Sequence, residues 1–321
     1  MKNGIAVAGS ILVDKLNHIS AYPDKGELTQ IKSISKAVGG CVPNVGIDLK
    51  KIDENLTVYA CGKIGKDEDG EFVKSEFARY NLNTDGLIIH ETEKTSFTDV
   101  MSVIGGERTF FTYAGASADY GESDLDFDLI NAEMLHLGYF LLLEKVDNGD
   151  GLKILKKAKE KGIKTSIDLV SENSDRYSLV SPCLEYTDNL IINEIEGGKL
   201  AGLAPEKENI RKITEILKSK GVKERVIIHL PEFGACLSDN GYTEIPSFDL
   251  PKGYIKGSTG AGDAFCAGAL YGIYKGFSDK EILEFASMSA AVSLRVADAV
   301  SGMTDFNSIR ELCKDFARKK I

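Results

Sequence analysis

The chain has 321 residues, of which 43% are hydrophobic and 27% are charged, and this balance is ordinary for a folded globular protein. Its formal net charge of -10 argues against nucleic acid and anionic lipid surfaces as partners, because an acidic surface repels phosphate groups. We therefore expect a small-molecule partner, no nucleic acid, no membrane and a cytoplasmic location.

The first apolar run covers residues 5–13 and is followed at once by Asp14, Lys15 and Asn17. Because no small-residue cleavage site follows it, we interpret the run as a buried first strand and not as a secretory signal segment. No apolar run in the chain approaches the roughly 20 residues that a membrane span needs.

Further apolar runs predict strands buried on both faces of a parallel sheet, at residues 56–65, 134–143, 164–170, 189–194 and 225–230. Between them, residues 151–162 and 208–221 have the composition of helices that end at glycine. This alternation predicts an α/β fold that is Rossmann-like, with a mostly parallel central sheet flanked by helices.

Two regions, at about residues 12–38 and 95–113, lack a helical period. The second contains two strand-like runs around a Gly105-Gly106 turn. We interpret both regions as extra strands that form a small β lid over a ligand, inserted into a single domain that covers residues 1–321. Such a lid could also form the interface of a homodimer.

Cysteine and histidine residues show no metal or disulfide pattern. The six cysteines are scattered without a C-x-x-C pair, and the four histidines lack a spacing such as H-E-x-x-H. We expect reduced, mostly buried thiols and no structural zinc.

Residues 257–268, GSTGAGDAFCAG, combine a glycine-rich loop with one carboxylate. The apolar segment from about residue 261 to 274 predicts a helix, so the loop becomes a helix N-terminus that favours a phosphate group. Asp263 in the first turn is suited to accept a proton from an attacking hydroxyl. The alternative is a tight turn in which Asp263 caps the helix.

An earlier stretch, GGCVPNVGI at residues 39–47, places a glycine pair before a predicted helix at residues 43–52. Asn44 can donate and accept hydrogen bonds at the start of this helix. The alternative is a plain turn between a strand and a helix.

Together, the early GG-x-x-x-N and the late T-G-A-G-D-x-F resemble the two signatures of the ribokinase (PfkB-type) carbohydrate kinase family. Intermediate stretches at residues 61–70, 105–117, 135–139 and 193–196 also fit, so the resemblance covers essentially the whole chain. It implies a ribokinase-like fold and ATP-dependent phosphorylation of a sugar or nucleoside hydroxyl, with Mg²⁺ accompanying ATP.

The resemblance also implies roles for individual residues. Asp263 corresponds to the catalytic base, and the anion hole corresponds to Gly260, Ala261 and Gly262. Sugar hydroxyls would be held by Asp14, Gly39, Gly40 and Asn44. The nucleotide would be met by Asn193, Glu196, Thr259 and Gly234, of which Asn193 and Glu196 organise Mg²⁺ and its waters without direct coordination.

The sequence departs from the family pattern in four places, one of which is a stretch with two changed residues. Gly257 stands where the family has an aspartate of a monovalent-cation site, which leaves K⁺ activation open. In HLPEFG, residues 229–234, Pro231 and Glu232 replace the usual residues of an ATP-phosphate loop. Leu12 and Cys41 replace an asparagine and a lysine, so the sugar pocket is less polar than that of ribokinase. A nucleoside kinase and a non-catalytic sugar-binding protein therefore remain alternatives to a sugar kinase.

Overall fold

The computed structural model describes residues 2–103 and 108–320. Within these residues the strands are β1 (Ile5–Gly9), β2 (Leu12–Ile19), β3 (Ile31–Gly39), β4 (Val58–Gly65), β5 (Leu87–His90), β6 (Ser96–Val103), β7 (Arg108–Tyr113), β8 (Met134–Phe140), β9 (Lys164–Leu169), β10 (Asn189–Asn193), β11 (Arg225–His229), β12 (Phe233–Ser238) and β13 (Gly241–Pro246).

The α-helices of the same residues are α1 (Cys41–Ile52), α2 (Glu68–Arg79), α3 (Gly115–Ala118), α4 (Gly151–Glu160), α5 (Glu194–Ala201), α6 (Ile210–Ser219), α7 (Ala261–Tyr274), α8 (Asp279–Ser293) and α9 (Phe306–Cys313). Short 3₁₀ segments lie at Glu122–Asp124, Arg176–Tyr186 and Lys207–Asn209, and a wider helical turn, Val146–Asp150, leads into α4.

The larger sheet has the strand order β13-β12-β11-β10-β9-β8-β1-β4-β5. Neighbouring strands from β11 to β5 run parallel, and only β12 and β13 add antiparallel pairs at one edge of the described sheet. From β1 the chain builds the sheet toward β5, and from β8 it builds toward β13. The reversal between β1 and β8 is the place where an open α/β sheet binds its ligand.

Each face of the larger sheet packs against helices. One apolar core joins β1 and β4 to α1, α7 and α8, and a second core on the other side joins β8, β9 and β10 to α4 and α6. Burial of the strands on both faces explains why their sequences are apolar runs without alternation. The predicted mostly parallel sheet flanked by helices is confirmed.

The smaller sheet has the order β3-β2-β6-β7 and comes from the two regions that lack a helical period. Strands β2 and β6 pair in parallel over eight residues, from Leu12↔Ser96 to Ile19↔Val103, while β3 and β7 flank them antiparallel. Apolar side chains of the flanking strands are exposed, including Ile34, Phe110 and Phe111. The predicted Gly105-Gly106 turn lies outside the described residues.

The first predicted strand, at residues 5–13, was wrong in extent. Strand β1 ends at Gly9, where the backbone adopts a φ of 138°. The Ser10 carbonyl accepts the amide of Val42 and the Ile11 amide donates to Ser117 Oγ, so the chain leaves the larger sheet here and enters the smaller one at Leu12. Because the apolar run is unbroken, the sequence does not indicate where the chain passes from one sheet to the other.

Other boundaries differ by a few residues from the predicted ones. The runs at 134–143 and 56–65 contain the shorter strands β8 and β4, and the helix expected at 43–52 begins at Cys41. The helix expected at 208–221 is α6, which starts at Ile210 after a 3₁₀ turn.

No helix among residues 2–103 and 108–320 is long and apolar enough to cross a bilayer. The six cysteines are all buried, and none forms a disulfide bond in the described part of the chain, in agreement with the expected thiols.

Candidate active site

Residues that follow the carboxyl ends of the parallel strands surround a cleft of about 210 Å³. On the strand side it is lined by Tyr139, Asp168, Asn193, Glu196 and His229, and on the helix side by Gly260, Gly262, Asp263 and Cys266. The cleft therefore lies at the carboxyl ends of β8 to β11, beside the reversal of strand order, and the N-terminus of α7 faces these ends.

The glycine-rich loop ends in a turn that only glycine fits. Gly260, at the N-cap of α7, has a φ of 78°, and a Cβ there would lie 2.5 Å from the Cα and the carbonyl oxygen of Ala299. Its carbonyl accepts the amide of Ala264, which starts the helix. The Ala261 amide donates to the Ser258 carbonyl at 3.2 Å, so this member of the predicted anion hole is part of the turn.

Asp263 lies in the first turn of α7 and is only 7% exposed. Its carboxylate accepts a hydrogen bond from Asn44 Nδ2 at 3.0 Å and a bifurcated one from the Tyr139 hydroxyl, which lies 2.9 and 3.0 Å from the two carboxylate oxygens. Burial, and then the charge of Asp168, raise the pKa of Asp263 to about 7, although the hydrogen bonds from Asn44 and Tyr139 act in the opposite direction. Asp263 therefore changes its protonation state near neutral pH.

Asn44 reaches Asp263 because the glycine pair lets α1 begin close to β1. Gly40 has a φ of 89°, and a Cβ there would lie 2.6 Å from the Ser10 carbonyl oxygen. The Asn44 amide donates to the Gly40 carbonyl in the first turn of α1. Its buried Oδ1 has no hydrogen-bond partner among the described residues. Two motifs far apart in sequence thus meet at one carboxylate.

Asp14 and Gly39 lie on the neighbouring strands β2 and β3. A Cβ on Gly39 would come within 2.5 Å of Asp14 Oδ2, so the carboxylate rests against bare backbone. Burial raises the pKa of Asp14 to about 6, and its charge contributes to the raised pKa of Asp263. The two carboxylates therefore act on each other electrostatically.

Asn193 and Glu196 form the capping box of α5. Asn193 Oδ1 accepts the Glu196 amide at 2.9 Å, and Glu196 Oε2 accepts the Asn193 amide at 3.1 Å. Ser171 Oγ donates to Glu196 Oε1 at 2.8 Å. Burial raises the pKa of Glu196 to about 7. The two residues therefore cap the helix that follows β10, and Glu196 is buried at the cleft.

Thr259 and Gly234 are not among the described residues that line this cleft. Thr259 is exposed, and its hydroxyl accepts a hydrogen bond of 3.4 Å from Arg108 Nη1 of the smaller sheet. Gly234 lies in β12, where an added Cβ would contact Phe265 at 3.3 Å. The predicted nucleotide contacts of these two residues stay predictions.

Gly257 leaves no room for the aspartate of the family pattern. A Cβ at this position would lie 2.9 Å from Ala297 Cα and 3.0 Å from the Ala297 carbonyl oxygen. The backbones of the two loops therefore approach each other more closely than a side chain would allow.

Three cleft residues, Tyr139, Asp168 and His229, were not identified from the sequence. Tyr139 has a φ of 61°, which turns its hydroxyl to Asp263, and its amide donates to Asp168 Oδ1 at 2.5 Å. Burial lowers the pKa of His229 to about 4, so its ring is neutral beside Gly262. Each lies at or just before the carboxyl end of a predicted strand, and that position was the available signal.

The fold and the cleft define an α/β protein that presents a helix N-terminus and a buried carboxylate at the reversal of its strand order. The pfkB family of carbohydrate kinases matches residues 3–305, and the chain therefore belongs to this family, whose members are phosphotransferases. The predicted family is confirmed.

Characterised relatives of the chain include sugar and nucleoside kinases. It is 25% identical over 321 residues to a ribokinase of Arabidopsis thaliana, a match that covers 97% of this chain and 81% of the relative. It is 26% identical over 291 residues to a nucleoside kinase of Methanocaldococcus jannaschii, covering 85% and 84% of the two chains.

Solved structures share the fold over nearly the whole length. Arabidopsis thaliana ribokinase complexed with ribose and ATP has a TM-score of 0.85 at 24% identity, covering 98% of this chain and 99% of that one. Fructokinase from Xylella fastidiosa with bound ATP has a TM-score of 0.79 at 19% identity, with the same coverage.

Proposed function

We propose that this protein transfers the γ-phosphoryl group of ATP to a hydroxyl of a sugar or sugar-like alcohol, with Asp263 as general base. The observation that carries the proposal is the position of Asp263. It is buried at the glycine-rich N-terminus of α7, and it is hydrogen bonded to Asn44 of the early GG-x-x-x-N motif.

The catalytic step follows from the environment of this carboxylate. Asp263 accepts the proton of the attacking hydroxyl, and its pKa of about 7 gives it the basicity for this task at neutral pH. The amides of Gly260 and Gly262, which line the cleft, and the helix N-terminus stabilise the negative charge on the transferred phosphoryl group, whereas the Ala261 amide is held by the Ser258 carbonyl. In this reaction Mg²⁺ would neutralise phosphate charge, with Asn193 and Glu196 holding its waters from the edge of the same cleft.

The substrate end is built from Asp14, Gly39, Gly40 and Asn44. The unpaired, buried Oδ1 of Asn44 is an acceptor beside the proposed base, and a substrate hydroxyl would satisfy it. The carboxylate of Asp14 can accept from two adjacent hydroxyls. We propose that the smaller sheet is the lid of a single domain and excludes water when it closes. Its exposed apolar side chains support the predicted homodimer.

A nucleoside is the second candidate acceptor. Leu12 and Cys41 are apolar and buried near the predicted sugar site, and the match to the nucleoside kinase of Methanocaldococcus jannaschii supports this alternative. A non-catalytic sugar-binding protein is the third candidate, because Pro231 and Glu232 alter the loop after β11. Thermal stabilisation by a sugar without any by ATP and Mg²⁺ would favour that protein.

The test is an incubation with ATP, Mg²⁺ and pooled sugars and nucleosides, with and without K⁺, read by mass spectrometry. A phosphate ester that is absent with Asp263→Asn protein would support the proposal and identify the acceptor. Comparison of the amounts of product formed with and without K⁺ would show whether the reaction requires K⁺. A complete absence of product from every pool would reject it in favour of the binding protein.

The pH dependence of turnover should reflect Asp263. Only the deprotonated carboxylate accepts a proton, so kcat/KM should rise with pH to a plateau above the pKa of about 7. Tyr139→Phe removes the hydroxyl whose bifurcated hydrogen bond lowers this pKa, so the midpoint should move to higher pH. Tyr120→Phe is the matched control, because the buried Tyr120 hydroxyl has no partner among the described residues. A midpoint unmoved by Tyr139→Phe would contradict the assignment.

A further inference from the structure

A second group of chemically reactive side chains lies beneath the proposed base. Cys41 at the start of α1, His136 in β8 and Asp168 near the end of β9 each offer one donor atom, and these atoms lie within 4.8 Å of one another. All three residues are buried. The group is distinct from Asn193 and Glu196, and no spacing in the sequence predicts it because its members come from three elements.

One distance within the group is that of a tetrahedral metal site. His136 Nε2 lies 3.3 Å from Asp168 Oδ2. A tetrahedral Zn²⁺ with bonds of about 2.0–2.3 Å places neighbouring nitrogen, oxygen and sulfur ligands about 3.3–3.8 Å apart. All three donor atoms lie within 4.8 Å of one another, so a modest adjustment of the side chains would bring them to bonding distance of one cation.

The second polar side-chain atom of His136 and that of Asp168 each have a hydrogen-bond partner already. His136 Nδ1 is 2.8 Å from Ser166 Oγ, and Asp168 Oδ1 accepts the Tyr139 amide at 2.5 Å. Such outer contacts orient imidazole and carboxylate ligands in metal sites. A Cβ at Gly138 would lie 1.9 Å from Cys41 Sγ, so a bare backbone at this position leaves room for the sulfur.

We propose that Cys41, His136 and Asp168 bind a thiophilic divalent cation of the Zn²⁺ class. The donor set of thiolate, imidazole and carboxylate is the one that Zn²⁺ favours. The Cys41 thiol releases its proton to solvent as the metal binds. Asp168 and Cys266 line the cleft, which gives the cation a path of entry.

Binding of the cation should also inhibit the enzyme, and this consequence rests on the proposed function. Asp168 holds the amide of Tyr139, and the Tyr139 hydroxyl holds both oxygens of Asp263. A metal ion on Asp168 would therefore act on the proposed base through Tyr139, and turnover should fall as Zn²⁺ occupies the site.

The test measures binding directly. Full-length protein stripped of metal is titrated with Zn²⁺ against a chromogenic chelator, without ATP or Mg²⁺. We expect one Zn²⁺ per chain, at least about 100-fold weaker binding in Cys41→Ser, and unchanged binding in the control Cys61→Ser. Cys61 is equally buried, but its thiol contacts the Tyr59 carbonyl in β4.

Co²⁺ binding provides a second measurement, which uses wild-type protein alone and so does not depend on whether a variant folds. Wild-type protein should show a thiolate-to-Co²⁺ charge-transfer band in the near ultraviolet. Equal Zn²⁺ affinity in wild type and Cys41→Ser, or Co²⁺ binding without this band, would overturn the proposal. If the protein binds Zn²⁺ but phosphorylates no acceptor, the metal site stands and the proposed kinase activity is rejected. If it phosphorylates an acceptor but does not bind Zn²⁺, the kinase activity stands and the metal site is rejected.

Discussion

Asp263→Asn protein is expected to lose about three decades of kcat while keeping its affinity for the sugar within about tenfold. The amide keeps the shape of the carboxylate and can still accept a hydrogen bond from Asn44 or Tyr139, but it cannot take a proton. The loss should therefore fall on the chemical step. Steady-state kinetics and calorimetric titration of the sugar would separate kcat from binding.

The same substitution should stabilise the fold at neutral and alkaline pH. The folded protein keeps the Asp263 proton up to about pH 7, whereas the unfolded chain releases it near its ordinary value of 3.8. The folded state thus binds more protons in this window, so the carboxylate lowers the free energy of unfolding as the pH rises. The shift of the pKa corresponds to about 4 kcal/mol.

Thermal unfolding would check this effect. The Tm of Asp263→Asn should exceed that of wild type at about pH 8, by about 2–6 °C, and the difference should shrink toward pH 4. Asp279→Asn is the opposite control: Asp279 binds Arg225 Nε at 2.7 Å and its pKa is lowered, so this variant should lose stability at pH 8.

Near-normal turnover of Asp263→Asn would reject Asp263 as the base.

Gly260→Ala is expected to reduce kcat at least about 100-fold, because the new Cβ must displace the loop that carries the anion hole. The Cβ would lie 2.5 Å from the backbone of Ala299. The amides of residues 260–262 would then move away from the position of the transferred phosphoryl group. A fall in Tm should accompany the loss of activity.

Gly253→Ala is a closely matched control for this clash. Gly253 has a φ of 80° against 78° for Gly260, but none of the described atoms lies within 4 Å of its added Cβ. Both variants pay the conformational cost of a positive φ, of about 1–2 kcal/mol, and only Gly260→Ala adds the steric overlap. Equal activities of the two variants would show that the geometry of this turn does not determine catalysis.

The α/β fold could be predicted because its strands are buried on both faces and are mostly apolar without alternation, as β1 illustrates. The division of the first run between two sheets could not, since Ser10 and Ile11 are as buried as the strand residues around them. The decisive contacts are those of Val42 with Ser10 and of Ser117 with Ile11, and both partners are distant in sequence.

The candidate site was predictable to the extent that its residues carry a local signal. Gly260 and Asp263 occur in one recognisable loop, and Asn44 follows a glycine pair. Tyr139 and the cluster of Cys41 and His136 depend on which strands become neighbours, and apolar periodicity does not specify strand order. The chemistry of a residue can thus be inferred from its motif, whereas its partners follow from topology.

The parallel pairing of β2 and β6 couples the two chain segments that form the smaller sheet. Eight residue pairs join the segments, and both are anchored at Ser117, which bonds the backbone of Ile11 and the hydroxyl of Ser96. A displacement of either segment is therefore transmitted to the other through the ladder of hydrogen bonds. If the smaller sheet is the proposed lid, we expect it to move as one unit, so that a contact made by β3 at one edge would also displace β7 at the other.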